Sequence, residues 1–304
     1  MKLGLITAIC EGMDFEEVVD FAAENGLECL EVACWPEGGA QRRYAGVSHI
    51  NVDGLTPEKA QSIKDLCAQK GVEISSLAYY PNTMDPDLEK RDAYISHLYK
   101  LIDASALLDV NMVTTFLGRD PKKNVEENLE IVKEVWPPII RYAEDKGVKI
   151  AIENCPMLFT NDEWPGGQNL MTTPAIWRKV FEILDSDNFG INYDPSHFVW
   201  QQIDYIKPLY EFKDKIFHVH YKDIKLYQDK LADVGIMATP LEYMTPKLPG
   251  LGDVDWGKYV SALTDIGYDG YSCIEVEDKA FEGSLDEAKK AVVLSTKYLR
   301  NFVI

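Results

Sequence analysis

The chain is short of positive charge and of histidine. Its 304 residues carry 31 Lys and Arg against 50 Asp and Glu, a formal charge of −19, so a polyanion is repelled wherever the surface does not locally reverse that sign. Nucleic acid is therefore not an expected partner, and most of the acidic excess reads as a solvated surface. Five histidines are too few for a cluster binding several zinc ions, which argues against a metal-dependent nuclease. No apolar run is long enough to span a bilayer, and the opening MKLGLITAIC lacks the basic lead and small-residue cleavage site of a secretory signal. A cytoplasmic protein that does not enter the membrane is expected. The six cysteines, Cys10, Cys29, Cys34, Cys67, Cys155 and Cys273, form no C-x-x-C pair and no regular framework, so they read as reduced core thiols. No G-x-G-x-x-G follows the first strand and there is no P-loop, which counts against a doubly wound nucleotide-binding sheet.

What is present is one rhythm repeated. KLGLITAI reads as a strand and is followed by DFEEVVDFAAENG, where Phe15, Val18, Val19 and Ala22 recur at helical spacing and Gly26 ends the helix. LECLEVAC leads to TPEKAQSIKDLCAQKG, with Thr56 as N-cap, Pro57 in the first turn and Gly71 at the end. VEISSLAYY precedes a helix over 88–108, VNMVTTFLG one over 124–146, and VKIAIEN one over 173–184. FGINYDPSH is followed by a shorter helical segment over 205–213, IFHVHYKD by a long loop and then DWGKYVSALTDIG, and YSCIEVED by a closing helix over 285–302. These eight strand–helix units, with strands that are nearly continuous apolar runs, predict a parallel sheet buried on both faces. The expected fold is an α/β single-domain (β/α)8 TIM barrel over residues 1–304, with an open doubly wound sheet as the alternative.

In such a barrel the chemistry lies where strands end, and the polar residues there form a short acidic set. The fifth strand ends in Glu153 and Asn154, the sixth in Asp194 with His197 three residues on, the seventh holds His218 and His220, and the eighth carries Glu275 and Glu277. Any one of these alone reads equally well as a cap, an ion-pair partner or a core histidine. Together they need a reason to converge, since two like charges about 4 Å apart repel by roughly 4 kcal/mol at an effective dielectric of about 20. A divalent cation supplies that reason. Glu153, Asp194 and Glu275 with one imidazole make a hard, mostly oxygen donor set, suited to Mn²⁺ or Mg²⁺, with Co²⁺ or Zn²⁺ as further options.

The strings AIEN, NYDPSH, HVHYKD and CIEVED on consecutive strands resemble the xylose-isomerase-like barrel superfamily of sugar isomerases, epimerases and inosose dehydratases. The resemblance covers nearly the whole chain through strand order, while the specific matches fall on the last four strands. It implies metal ligands at Glu153, Asp194, His220 and Glu275, substrate contact at His197, and acid–base roles for Glu153 and Glu275. It also implies isomerase or epimerase chemistry on a sugar or keto-sugar through an enediolate, with a 3-keto-glycoside among the substrates. The alternatives are a lyase or dehydratase using the same intermediate, and a non-catalytic sugar-binding barrel. The free-ketose 3-epimerases carry an arginine six residues after the metal histidine and a second glutamate six after the first; here those positions are Leu226 and Phe159. Lys222 and Asp223 follow His220 as in the dehydratase branch, so Lys222 is expected to bind a substrate hydroxyl or to pair with Asp223. A homo-oligomer is expected from the resemblance.

Three long loops are expected to carry specificity, with oligomer contacts as the alternative. The first offers Trp35, Arg42, Arg43, Tyr44, His49 and Asn51, the second Trp164 and Asn169, and the third runs over 226–252. Trp35, His49 and Trp164 are the expected sugar-stacking or hydrogen-bonding residues, and the paired arginines could take a phosphate or carboxylate. In PGLGDVDW, Asp255 is expected to cap a helix and Trp256 to pack.

Overall fold

The computed structural model describes residues 1–36, 44–158 and 163–303. Its strands are β1 (Lys2–Ile6), β2 (Cys29–Ala33), β3 (Glu73–Ala78), β4 (Met112–Thr115), β5 (Lys149–Glu153), β6 (Phe189–Tyr193), β7 (Ile216–Tyr221), β8 (Asp223–Leu226), β9 (Met244–Lys247) and β10 (Tyr271–Ile274). β1 to β7 and β10 close into a barrel in chain order, and every neighbouring pair is parallel. Around it lie α1 (Phe15–Glu24), α2 (Pro57–Lys70), α3 (Leu88–Leu107), α4 (Val125–Lys146), α5 (Pro174–Ile183), α6 (Ser196–Trp200), α7 (Lys207–Glu211), α8 (Gln228–Val234), α9 (Trp256–Asp265) and α10 (Leu285–Leu299). The chain is a (β/α)8 TIM barrel. None of the described helices is long and apolar enough to cross a membrane.

The helix ends follow local chemistry. Asp14 and Glu17 form a reciprocal capping box at α1, as Asn124 and Glu127 do at α4, so two orphan amides are satisfied at each start. Thr56 and Pro57 begin α2 and Gly71 ends it in the left-handed conformation, at φ 70°. Asp255 caps α9 by accepting from the Lys258 amide. Trp256 is buried edge-on to Tyr221 and Tyr259.

Two expectations are corrected. The segment predicted as a helix over 205–213 is helical only over Lys207–Glu211, because Pro208 lies in its first turn and the apolar face is one turn long. The segment predicted as a loop over 226–252 has structure of its own: β8 and β9 pair antiparallel in register Ile224 with Pro246, and α8 lies between them. All six cysteines are free thiols, and Cys155 alone is not fully buried.

Alternation along each strand divides its side chains between the helices and the barrel interior. In β2, Leu30 and Val32 join the apolar shell under the helices, whereas Cys29 lies in a separate small cluster with Ile6 and Cys273. The interior of the barrel is narrow at this level. A Cβ added at Gly4 would lie 2.2 Å from the Cys29 carbonyl oxygen and 2.4 Å from its sulfur. Above this floor the inner residues turn polar: Ser75, Thr114, Asn192, His218 and Glu31 are all buried.

Gly4→Ala tests whether this floor can yield. Overpacking there is expected to lower unfolding stability by about 1–3 kcal/mol in denaturant titration. A variant as stable as the wild type would mean that β1 and β2 separate without penalty.

Candidate active site

The acidic set sits at the mouth because each member is the last residue of a strand or follows one closely. Glu153 ends β5, Asp194 follows β6, His220 lies near the end of β7 with Lys222 just after it, and Glu275 follows β10. Parallel strands in one register deliver all of them to the same rim. One ligand atom from each of Glu153, Asp194, His220 and Glu275 lies within 4.8 Å of the others.

Several of these atoms are orphans. Glu153 Oε1, His220 Nδ1 and His197 Nε2 are buried with no hydrogen-bond partner, and Asp194 Oδ2 accepts no hydrogen bond although the Lys222 ammonium lies 3.0 Å away. They face one another: His220 Nδ1 is 3.6 Å from Glu153 Oε1 and 3.4 Å from Glu275 Oε2, and His197 Nε2 is 3.2 Å from Asp194 Oδ2 and 3.4 Å from Glu153 Oε1. Buried polar atoms without partners cost about 1–3 kcal/mol each, more when charged, so their convergence points to a ligand that satisfies them together. Three carboxylate oxygens and one imidazole nitrogen fit a single divalent cation.

Lys222 is the positive charge already in place. Only 3% exposed, its Nζ lies 2.8 Å from Glu275 Oε2, 3.0 Å from Asp194 Oδ2, 3.4 Å from Glu277 Oε2 and 3.8 Å from Glu153 Oε1. The expected pairing with Asp223 is not made. Asp223 instead accepts from the amides of Ile224, Val254 and Gly250 and from the Trp256 indole at 2.8–3.1 Å, which ties the 250–256 segment to the end of β7. Four carboxylates thus share this one ammonium, with His197 and His220 the other groups close enough to offset them.

The titration directions follow from this crowding. Burial alone would raise Glu153 and Asp194, but Lys222 and the neighbouring imidazoles hold both below the usual carboxylate range. Glu275 goes the other way: burial, with Glu153 and Glu277 close by, outweighs Lys222 and raises it. Burial opposes the charged forms of His197, His220 and Lys222, yet all three are raised well above their ordinary values, His197 by Cys155 and Asp194 and the other two by the surrounding acids.

Behind the rim lies a residue that sequence reasoning missed. Glu31, in the middle of β2, is fully buried, and its Oε2 sits 2.7 Å from His220 Nε2. Its Oε1 accepts from the Tyr80 hydroxyl and, at 2.8 Å, from Thr114 Oγ1. Burial opposes its charge, but the two histidines and these hydrogen bonds hold the carboxyl down at about 2. The available signal was a charge inside a strand whose other residues are apolar. Asp194 is oriented by its own neighbours: Asn154 and the Asp194 backbone exchange hydrogen bonds at 2.8 and 2.9 Å, and the Ser196 amide occupies Oδ1 at 2.8 Å, leaving Oδ2 to the site. Asn169 is not a specificity residue; it is buried, donating to the carbonyls of Glu153 and Cys155 and accepting from the Leu117 amide.

Above the rim a cavity of about 300 Å³ opens, large enough for a small ligand. Of the expected substrate contacts, Trp35, His197 and Lys222 line it. His49 and Trp164 are not among its lining residues. His49 Nδ1 is 2.9 Å from Thr7 Oγ1 and Nε2 is 3.3 Å from the Cys10 carbonyl, so the ring is occupied in anchoring its loop. The Trp164 indole donates to the Met237 carbonyl at 3.3 Å, one layer out from Trp200, which does line the cavity. Arg42, Arg43 and Phe159 lie outside the described residues. The walls are mainly apolar: Ile6 from the end of β1, Ile9, Trp35, Phe116 and Met157 from the segments that follow the strands, with Leu241, Met244 and Pro246 from the β8–β9 insertion.

The family model described as the xylose isomerase-like TIM barrel matches residues 19–302. Inosose dehydratase of Clostridium perfringens (strain 13 / Type A) is 22% identical over 91% of this chain and 91% of its own. Two solved structures share the fold: the IOLI protein with a binding zinc atom, at TM-score 0.70 and 19% identity over 100% of both chains, and the 3-keto-D-glucoside 4-epimerase YcjR from E. coli, at TM-score 0.69 and 17% identity over 99% of both.

The charge balance predicts the behaviour of Lys222→Met. Removing the ammonium leaves buried carboxylates unpaired, and the metal-free protein is expected to lose about 3–5 kcal/mol of stability at neutral pH. In the wild type, Glu153 and Asp194 titrate below their unfolded value, so their contribution is complete above that value and is lost as pH falls. In the variant that lowering is weakened, so the loss of stability on acidification should be smaller than in the wild type. Thermal unfolding across pH checks this, and an unchanged profile would refute the balance.

Proposed function

Because the chain belongs to the xylose isomerase-like TIM barrel family, we propose that it is a divalent-metal-dependent isomerase or epimerase of a sugar or keto-sugar, working through an enediolate, with Glu153 and Glu275 as its acid–base pair. The observation that carries this reading is the pair itself. A buried carboxyl, Glu153, and a partly exposed one, Glu275, from strands on either side of β6 and β7 border one space, and their surroundings push their proton affinities apart, Glu153 down and Glu275 up.

Glu153, Asp194, His220 and Glu275 would hold the cation, Mn²⁺ in this reading. When bound, it supplies Lewis acidity towards a carbonyl or hydroxyl oxygen of the sugar. The chain's own groups supply the rest. An ionised carboxylate removes the proton on the carbon beside the carbonyl, and its partner returns one, on the other face for an epimerase. The Lys222 ammonium and His197 would orient substrate oxygens and favour negative charge on them. Trp35 offers a flat apolar face to the ring, and the closed lower barrel keeps bulk water from the enediolate.

A second reading, a lyase or dehydratase, shares every step up to that intermediate and then expels a leaving group. It is favoured by the inosose dehydratase relatives and by the apolar upper walls, which would seat the departing portion of a keto-glycoside. In either reading the partner is a small carbohydrate, and the protein is taken to be a cytoplasmic homo-oligomer.

Proton NMR in D₂O of the Mg²⁺-loaded protein with ketoses, inososes and 3-keto-glycosides distinguishes them. Deuterium entering beside the carbonyl together with a new stereoisomer is the expected result; exchange with loss of water or an aglycone would establish the lyase. Glu275→Gln should retain Mn²⁺ and substrate while turnover falls by roughly 10²–10⁴-fold. Unimpaired turnover in that variant would remove Glu275 from the acid–base pair, and a wild type that binds sugar without exchanging any proton would make the barrel a binding protein.

A further inference from the structure

We propose that Glu31 is the positioning residue of this metal centre, a proposal that rests on the reading of that centre given above. It fixes His220 with Nε2 as the hydrogen-bearing nitrogen and Nδ1 as the nitrogen offered to the cation.

A neutral imidazole has one N–H and one lone-pair nitrogen, and the partner of the first decides the place of the second. Glu31 Oε2 and the Asn192 side-chain amide both lie 2.7 Å from His220 Nε2; the ionised carboxylate can only accept whereas the amide can turn to offer its oxygen, so we place the hydrogen on Nε2, directed at Glu31. In the neutral ring that a metal ligand must be, Nδ1 then carries the lone pair, and Nδ1 is the buried atom without a hydrogen bond that faces Glu153 and Glu275. Glu31 is itself fixed from other strands: Tyr80 follows β3 and Thr114 belongs to β4, and both hydroxyls donate to Oε1. The carboxylate therefore cannot turn away from His220 without breaking these bonds. Three strands in this way converge on the ring of a fourth.

Glu31, His218 and His220 also approach one another closely enough to suggest a cation of their own. Their bonds argue otherwise. His218 Nδ1 is 3.0 Å from Asn192 Oδ1 and its Nε2 is 3.0 Å from Ser75 Oγ, while His220 Nε2 is taken by Glu31. Among these groups only His220 Nδ1 is left without a partner, and it points to the other cluster. The inner cluster is a hydrogen-bonded support for the outer one.

The test is Mn²⁺ affinity, by calorimetry on the full metal-free chain, for the wild type, Glu31→Gln, Thr114→Val and Ser75→Ala. Loss of such a support typically weakens metal binding roughly 10–100-fold, which is the result expected for Glu31→Gln. Thr114→Val should shift affinity in the same direction and by less. Ser75→Ala, which touches His218 but not His220, should leave it unchanged. In Zn²⁺-loaded protein with ¹⁵N-labelled histidine, the His220 Nε2–H signal should be far downfield in the wild type and move upfield in Glu31→Gln. A folded Glu31→Gln that binds Mn²⁺ as tightly as the wild type overturns the proposal, as does an equal loss in Ser75→Ala. Should Glu31→Gln not fold, an unchanged affinity in Thr114→Val overturns it. A wild type that binds no Mn²⁺ defeats the reading of the centre itself, whereas a binding wild type with an indifferent Glu31→Gln defeats only the positioning role.

Discussion

Like charges brought to one rim set the terms for this barrel. Glu153, Asp194 and Glu275 arrive together because parallel strands end at one level, and the fold offers no way to separate them. Lys222 answers part of the repulsion from a buried position among them. The remainder is carried as unpartnered atoms at the mouth, a state that a closed, well-packed core would not otherwise retain. The apolar shell of the barrel supplies the stability against which that strain is held.

The interior is graded from floor to mouth. Near the start of the strands the space is too narrow even for a methyl group at Gly4. The middle level holds a fully hydrogen-bonded polar layer of Glu31, Asn192, His218 and Ser75, and the rim holds the unsatisfied set. His220 belongs to both upper levels, with one nitrogen in each. A buried polar network of this kind is stable only when each member is paired, and here the pairing stops where a ligand would begin.

Much of this was legible in the sequence. Eight apolar runs alternating with capped helical segments specify the barrel, since period and capping act locally and leave traces in single stretches such as DFEEVVDF. The rim acids were legible because they break apolar strands at their ends. Glu31 was not, because nothing in one strand tells which distant histidine its carboxylate will meet. His49 and Trp164 illustrate the reverse error: residue type and loop length suggest contact with a ligand, but the direction of a loop side chain depends on partners such as Thr7 and Met237 that are remote in sequence. The β8–β9 hairpin was missed because it is short and half-exposed, so its alternation is weak.

That hairpin divides the cavity by origin. Its floor comes from barrel strands that must keep their register for the fold to close, whereas Leu241, Met244 and Pro246 come from a segment whose two strands pair with each other and not with the barrel, fastened at its base by Asp223. The rim and the outer wall of the cavity thus belong to parts of the chain under different constraints. Length and side-chain shape in the 227–243 stretch can drift, or be exchanged by design, while the rim stays as it is. Under the proposed function, a single scaffold of this build could be redirected among ligands of different bulk without reworking the rim groups.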